Sequence, residues 1–185
     1  MTDTIENAAA HAALCAALTA DLTADGWIRT ESDDPPSGVI AEAYTHTTHR
    51  LHLLITSGQG KPTSADLSGT TGQGPNAWSV EITDPTAKQI IDASHAAADP
   101  ESVPPFRLMQ ALIETGWSAA GHGRRVTPRV SSATRADGNR TVFHYARVAL
   151  NTRHEPGGWV FRGDGLTADA TDATPHTVIL GLALS

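Results

Sequence analysis

The motif Leu-x-x-x-Leu-x-x-x-Gly-Trp occurs twice, 90 residues apart: Leu18, Leu22, Gly26 and Trp27, then Leu108, Leu112, Gly116 and Trp117. Leucines four apart mark the buried stripe of a helix, and glycine is the residue that ends a helix in the left-handed conformation. With Gly at C′, the tryptophan is C″ and the leucine five residues earlier is C3, the pair that closes a Schellman cap by apolar contact. Each motif is followed by turn residues and a hairpin, "VIAEAYTHTTHRLHLLIT" in the first half and "RVSSATRADGNRTVFHYARVAL" in the second, the latter with an Asp137-Gly138 turn. A strand opening on Trp comes next, "WSVEIT" from Trp78 and "WVFRGD" from Trp159. A closing helix follows, with Asp84-Pro85 and Thr174-Pro175 as N-cap and first helical residue. The expected fold is α+β: duplicated helix–antiparallel sheet–helix units of three to four strands each, over residues 4–99 and 100–185.

The first hairpin holds His46, His49 and His52 in "THTTHRLH", a spacing that raises the question of a metal site. Pairing that sets Val39, Ala41 and Ala43 against Ile55, Leu53 and Leu51 gives one apolar face. The same register opposes Glu42 to His52 and Tyr44 to Arg50, and puts His46 in the turn. Three imidazoles so placed do not converge on one point about 2 Å from each, and no metal or other cofactor is expected. Cys15 is the single cysteine; in the Ala/Leu-rich "HAALCAALTADL" it reads as an inert buried residue.

Charge is divided unevenly. Residues 1–100 carry four Lys/Arg against 13 Asp/Glu, and residues 101–185 carry nine Arg against seven acids. Eight arginines, including Arg124, Arg125, Arg129, Arg140, Arg147 and Arg162, fall between 124 and 162 with only Asp137 and Glu155 as acids. A run of this kind is ordinarily a solvated face. As a site, it suits phosphate or carboxylate groups, and these six residues are the candidate binding residues. Catalytic templates fail: "SGQGKPTS" has Ile55 where a phosphate loop needs its first Gly, and "DGLTADATD" lacks the Gly and Glu of a calcium loop. The segment 57–75, rich in Gly, Ser and Thr, reads as an inserted loop. No run of residues approaches a membrane span and the N-terminus carries acids, so the chain is expected to be cytoplasmic.

The paired "L…GW" motifs, the hairpins, the strands opening on Trp and the closing "TPHTVILGLAL" together resemble the tandem SPDY-type domain of unknown function found in actinobacterial proteins, some of them plasmid-encoded. The residues that carry the resemblance are Leu112, Gly116, Trp117, Trp159, Thr174 and Pro175 with their first-half counterparts, although Asp84-Pro85 replaces Thr-Pro there. The resemblance brings no catalytic residues. It implies an accessory protein linked to mobile elements. The expected function is a non-enzymatic binding or scaffold module that engages protein, or a second copy of itself, through a sheet face or the Arg-rich half. A nucleic-acid accessory protein is the second reading, opposed by the net charge of −7. An enzyme of unrecognised class is the third.

Overall fold

A computed structural model describes residues 2–30, 35, 37–58, 61–70, 77–99, 105–120, 130–135, 141–148, 154–163 and 165–185. The first 99 residues run α1 (Thr2–Ala24), β1 (Trp27–Thr30), β2 (Val39–His46), β3 (Leu51–Gly58), β4 (Lys61–Thr70), β5 (Ala77–Thr83) and α2 (Ala87–Ala98). The rest runs α3 (Pro105–Glu114), β6 (Trp117–Ala120), β7 (Val130–Arg135), β8 (Thr141–Val148), β9 (His154–Gly163), β10 (Leu166–Thr171) and α4 (His176–Leu184). The class is α+β. All strands join one antiparallel sheet in the order β1-β2-β3-β4-β5-β10-β9-β8-β7-β6.

Among the described residues each half thus contributes five strands rather than three or four. The additional first-half strand is β4, in the segment taken from sequence for an inserted loop. Its buried positions are Ala65, Leu67 and Gly69, a weak apolar alternation, and Pro62 near its start argues against a strand. Nevertheless Ala65 and Leu67 are fully buried, and Gly69 makes room for the tryptophan of the next strand. A Cβ at Gly69 would stand 2.7 Å from Leu51 Cδ2 and 2.8 Å from Trp78 Cζ2. Trp159, taken from sequence as opening the strand equivalent to that of Trp78, lies inside β9, the fourth strand of its half, whereas Trp78 is in the fifth.

The helices pack in the order α1, α2, α4, α3 against one face of the sheet, and the core lies between. Leu18, Leu22, Leu108 and Leu112 are wholly buried, and Trp27 and Trp117 are nearly so. Gly26 and Gly116 adopt φ of 88° and 97°, and their N–H groups bond Thr23 O at 3.2 Å and Ile113 O at 3.0 Å, as a C′ residue does.

The N-caps differ from expectation. Thr86 caps α2 in a reciprocal capping box with Gln89, while Asp84, at φ 49°, accepts the Thr63 N–H instead. Thr174 does not cap α4; its hydroxyl donates to Ser79 O at 3.2 Å and so stitches the halves. At the seam β5 pairs with β10, Val80 opposite Ala170 and Ile82 opposite Ala168.

Candidate functional site

Successive side chains of a strand point to opposite faces, so the helix layer divides the sheet into a covered face and a face over which no described element lies. On the uncovered face the three central strands share one pattern. β4 presents Ser64, Asp66 and Ser68; β5 presents Ser79, Glu81 and Thr83; β10 presents Thr167, Asp169 and Thr171. Register places Asp66 opposite Glu81 and Glu81 opposite Asp169, so three carboxylates form a row across adjacent strands, bordered on both sides by hydroxyls. Partial burial and the neighbouring charge of Glu81 push the Asp66 carboxyl above the usual aspartate range. Toward the first-half edge the same face turns apolar, with Ile28 53% exposed and Val39, Ala41, Ala43 and Leu54 half-buried.

Of the candidate arginines, Arg124, Arg125, Arg129 and Arg140 lie outside the described residues. Arg147 is on β8, its backbone opposite Glu155 of β9. Arg162 is on β9 at the end of the acidic row: Nη2 donates to both Asp169 carboxylate oxygens at 3.1 and 2.9 Å, and Nη1 donates to Phe161 O and Ala168 O. Its fork is occupied within the chain.

The hairpin histidines occupy places other than those expected. β2 and β3 pair with Tyr44 opposite Leu53 and Thr45 opposite His52, three residues out from the expected register. An odd shift exchanges the faces of a strand. Val39, Ala41 and Ala43 therefore lie on the uncovered face, and Glu42, Tyr44 and His46 turn toward the helices. The reason is at the strand's end, where Tyr44 and His46 bury more completely than the alanines, at 3% and 7% exposure. His46 is not in the turn. Its Nε2–H donates to Asp25 O at 2.8 Å, its Nδ1 accepts the N–H groups of Thr48 and His49, and its ring meets Trp27 edge-on at 5.3 Å. Both ring nitrogens serve the corner where α1 enters the sheet.

A second cluster lies between α1 and the covered face. A ring nitrogen of His11, Sγ of Cys15 and a carboxylate oxygen of Glu42 are all within 4.8 Å of one another. His11 Nδ1 is 2.8 Å from Ser57 Oγ, which is 2.9 Å from Thr63 Oγ1, while His11 Nε2 is buried with no hydrogen-bond partner. Glu42 takes both the Nε and Nη2 of Arg29. Burial pushes the Cys15 thiol up to about 11 and the His11 imidazole below its ordinary value, so both are neutral at pH 7. Sequence reasoning passed over this group because the shifted register had turned Glu42 outward. The legible signal was the four-residue spacing of His11 and Cys15, which puts both on one helix stripe.

No protein-family model matches the chain, and neither a curated protein nor a solved structure does. Among the described residues, no helix is long and apolar enough to cross a membrane.

Proposed function

We propose that the chain is a non-enzymatic binding module, built from two copies of a helix–sheet–helix unit, that takes a basic protein surface on the uncovered face of its sheet. The observation that carries this reading is the row Asp66, Glu81 and Asp169, three carboxylates on adjacent strands of a face that no described element covers. Like charges placed directly opposite one another destabilise a sheet; Arg162 pairs with Asp169, but among the described residues no cation pairs with Asp66 or Glu81, so that part of the row is better accounted for by an opposite charge that docks there than by folding. The basic segment that the chain itself carries is the Arg-rich 124–162 stretch of the sequence, and a second copy is the partner proposed. Strand order supports the duplication, since each half runs helix, five strands, helix and the sheet order mirrors about the β5–β10 pair. Membership of the SPDY-type class and a mobile-element setting stay within the proposal and rest on the paired Leu-Leu-Gly-Trp corners.

Sedimentation velocity of the purified chain tests it. Association is expected at low ionic strength, weakening as salt screens the charges. It is expected to be lost in the double variant Asp66→Asn/Glu81→Gln, without loss of melting temperature because a like-charge pair is relieved, and in the triple variant Arg124→Glu/Arg125→Glu/Arg140→Glu. A wild-type chain that is monomeric at every salt and protein concentration overturns the proposal. Tight, salt-dependent binding of duplex DNA or RNA in the same buffers would do so too, in favour of the nucleic-acid reading.

A further inference from the structure

The His11, Cys15 and Glu42 cluster is separated from the uncovered face by the sheet itself, and its chemistry is of another kind. Three different donors, nitrogen, sulfur and oxygen, approach one point from two elements: one turn of α1 supplies two and β2 supplies the third. His11 is only 3% exposed, yet Nε2 has no partner. A buried polar atom left unsatisfied costs about 1–3 kcal/mol, so its persistence points to something that accepts the lone pair. With Ser57 donating to Thr63 Oγ1, Ser57 Oγ accepts the His11 Nδ1 proton and Nε2 presents a bare lone pair. That is the arrangement by which an outer hydrogen bond orients a metal-ligating histidine.

We propose that His11 Nε2, Cys15 Sγ and Glu42 bind one divalent cation of the zinc type. The donor set matches the borderline preference of zinc for imidazole, thiolate and carboxylate, with a fourth position left for water. Tetrahedral bonds of zinc length set ligand atoms about 3.5 Å apart, so the side chains, which stand within 4.8 Å of one another measured to a ring nitrogen of His11, close in and set Nε2 on the ion as they bind. Thiolate and carboxylate supply two negative charges to the 2+ ion, Arg29 leaves the assembled site with a net charge of +1 at its exposed edge, and the thiol proton leaves to solvent. Arg29 occupies one lone pair on each Glu42 oxygen, and a carboxylate offers about four, so the ion pair and the metal bond are compatible. Because the site ties α1 to β2 beneath the first-half edge of the sheet, its role is to fasten that helix.

Chelator-stripped full-length protein titrated with cobalt(II) tests the proposal. The expected result is one equivalent bound with a thiolate-to-cobalt charge-transfer band, displacement by zinc(II), and a zinc-dependent rise in melting temperature. Cys15→Ala is expected to lose the band and the thermal shift, and Ser57→Ala to weaken binding roughly 10- to 100-fold by freeing the imidazole. Glu42→Gln, which retains a carbonyl acceptor for Arg29, serves as a second ligand variant, so an unfolded Cys15→Ala leaves the test standing. No thiolate band in the wild type would overturn the proposal. Full affinity retained in either ligand variant, as for a site formed by surface histidines, would do the same.

Discussion

The covered and uncovered faces of this sheet belong to the same ten strands and alternate residue by residue, yet they follow different chemistry. Beneath the helices lie Trp27, Leu53, Ile55, Leu67, Trp78, Val80, Ile82 and Phe161, none more than 2% exposed. One residue further along, the described side chains of the other face are hydroxyls and carboxylates at its centre and apolar residues toward the first-half edge. The difference shows where the stability of the fold lies. Burial on one side holds the sheet together, while the contacts on the opposite side are polar and local, such as Arg162 with Asp169.

The sharpest way to break that comparison uses two neighbours on β1. Trp27 is 1% exposed and Ile28 is 53% exposed, one on each face. Trp27→Ala is expected to cost about 3–5 kcal/mol in urea denaturation, the range for truncating a large buried aromatic, and Trp117→Ala the same at the equivalent corner. Ile28→Ala is expected to change stability by less than about 0.5 kcal/mol. Losses of similar size at Trp27 and Ile28 would show that the second face is covered too.

A second test adds volume instead of removing it. Gly69→Ala places a methyl 2.7–2.9 Å from Leu51 Cδ2 and the Trp78 ring, and both neighbours are held by the core. The expected cost is about 1–3 kcal/mol, the usual penalty of overpacking. Ser68→Ala, the adjacent position on the uncovered face, is expected to stay within about 0.5 kcal/mol of wild type. A neutral Gly69→Ala would mean that Trp78 is free to move aside.

What the sequence revealed follows the same division. The helix corners at Gly26-Trp27 and Gly116-Trp117 were legible because a helix stripe, a glycine at positive φ and a tryptophan lie together within ten residues. The hairpins and β5 were legible from alternation. Strand β4 was hidden because Ala, Leu and Gly inward with Ser and Thr outward look like a polar loop, and only the neighbouring strands give Gly69 its purpose. The register of β2 and β3 was hidden for a related reason: Val39, Ala41 and Ala43 form as plausible an inner face as Tyr44 and His46. Local sequence does not contain the corner carbonyl of Asp25 that His46 needs. From that misreading came the loss of Glu42, and with it the cluster on α1; the acidic row was likewise invisible, since it exists only once β4, β5 and β10 are side by side.

The smallest expected effects come from protons, and the two faces should respond to acid in opposite senses. Burial lowers the His11 imidazole below 6.5, so just under that pH the unfolded chain binds more protons than the folded one, and stability falls as pH falls. Asp66 is the reverse case. Its carboxyl is raised above 3.8 by burial and by Glu81, so between 3.8 and its folded value the folded chain binds more protons, and stability falls as pH rises through that window. Asp66→Asn is therefore expected to gain a few tenths to about 1 kcal/mol at neutral pH, the scale of a like-charge cross-strand pair, and to gain nothing below the aspartate range where the wild-type carboxyl is already neutral. His11→Gln is expected to flatten the loss of stability just below pH 6.5 and leave the Asp66 window unchanged. Urea denaturation of both variants in metal-free buffer across this range separates the two contributions. If Asp66→Asn loses stability at neutral pH, the carboxylate is held by a favourable contact on the uncovered face, and the row is part of the fold instead of a surface kept for a partner.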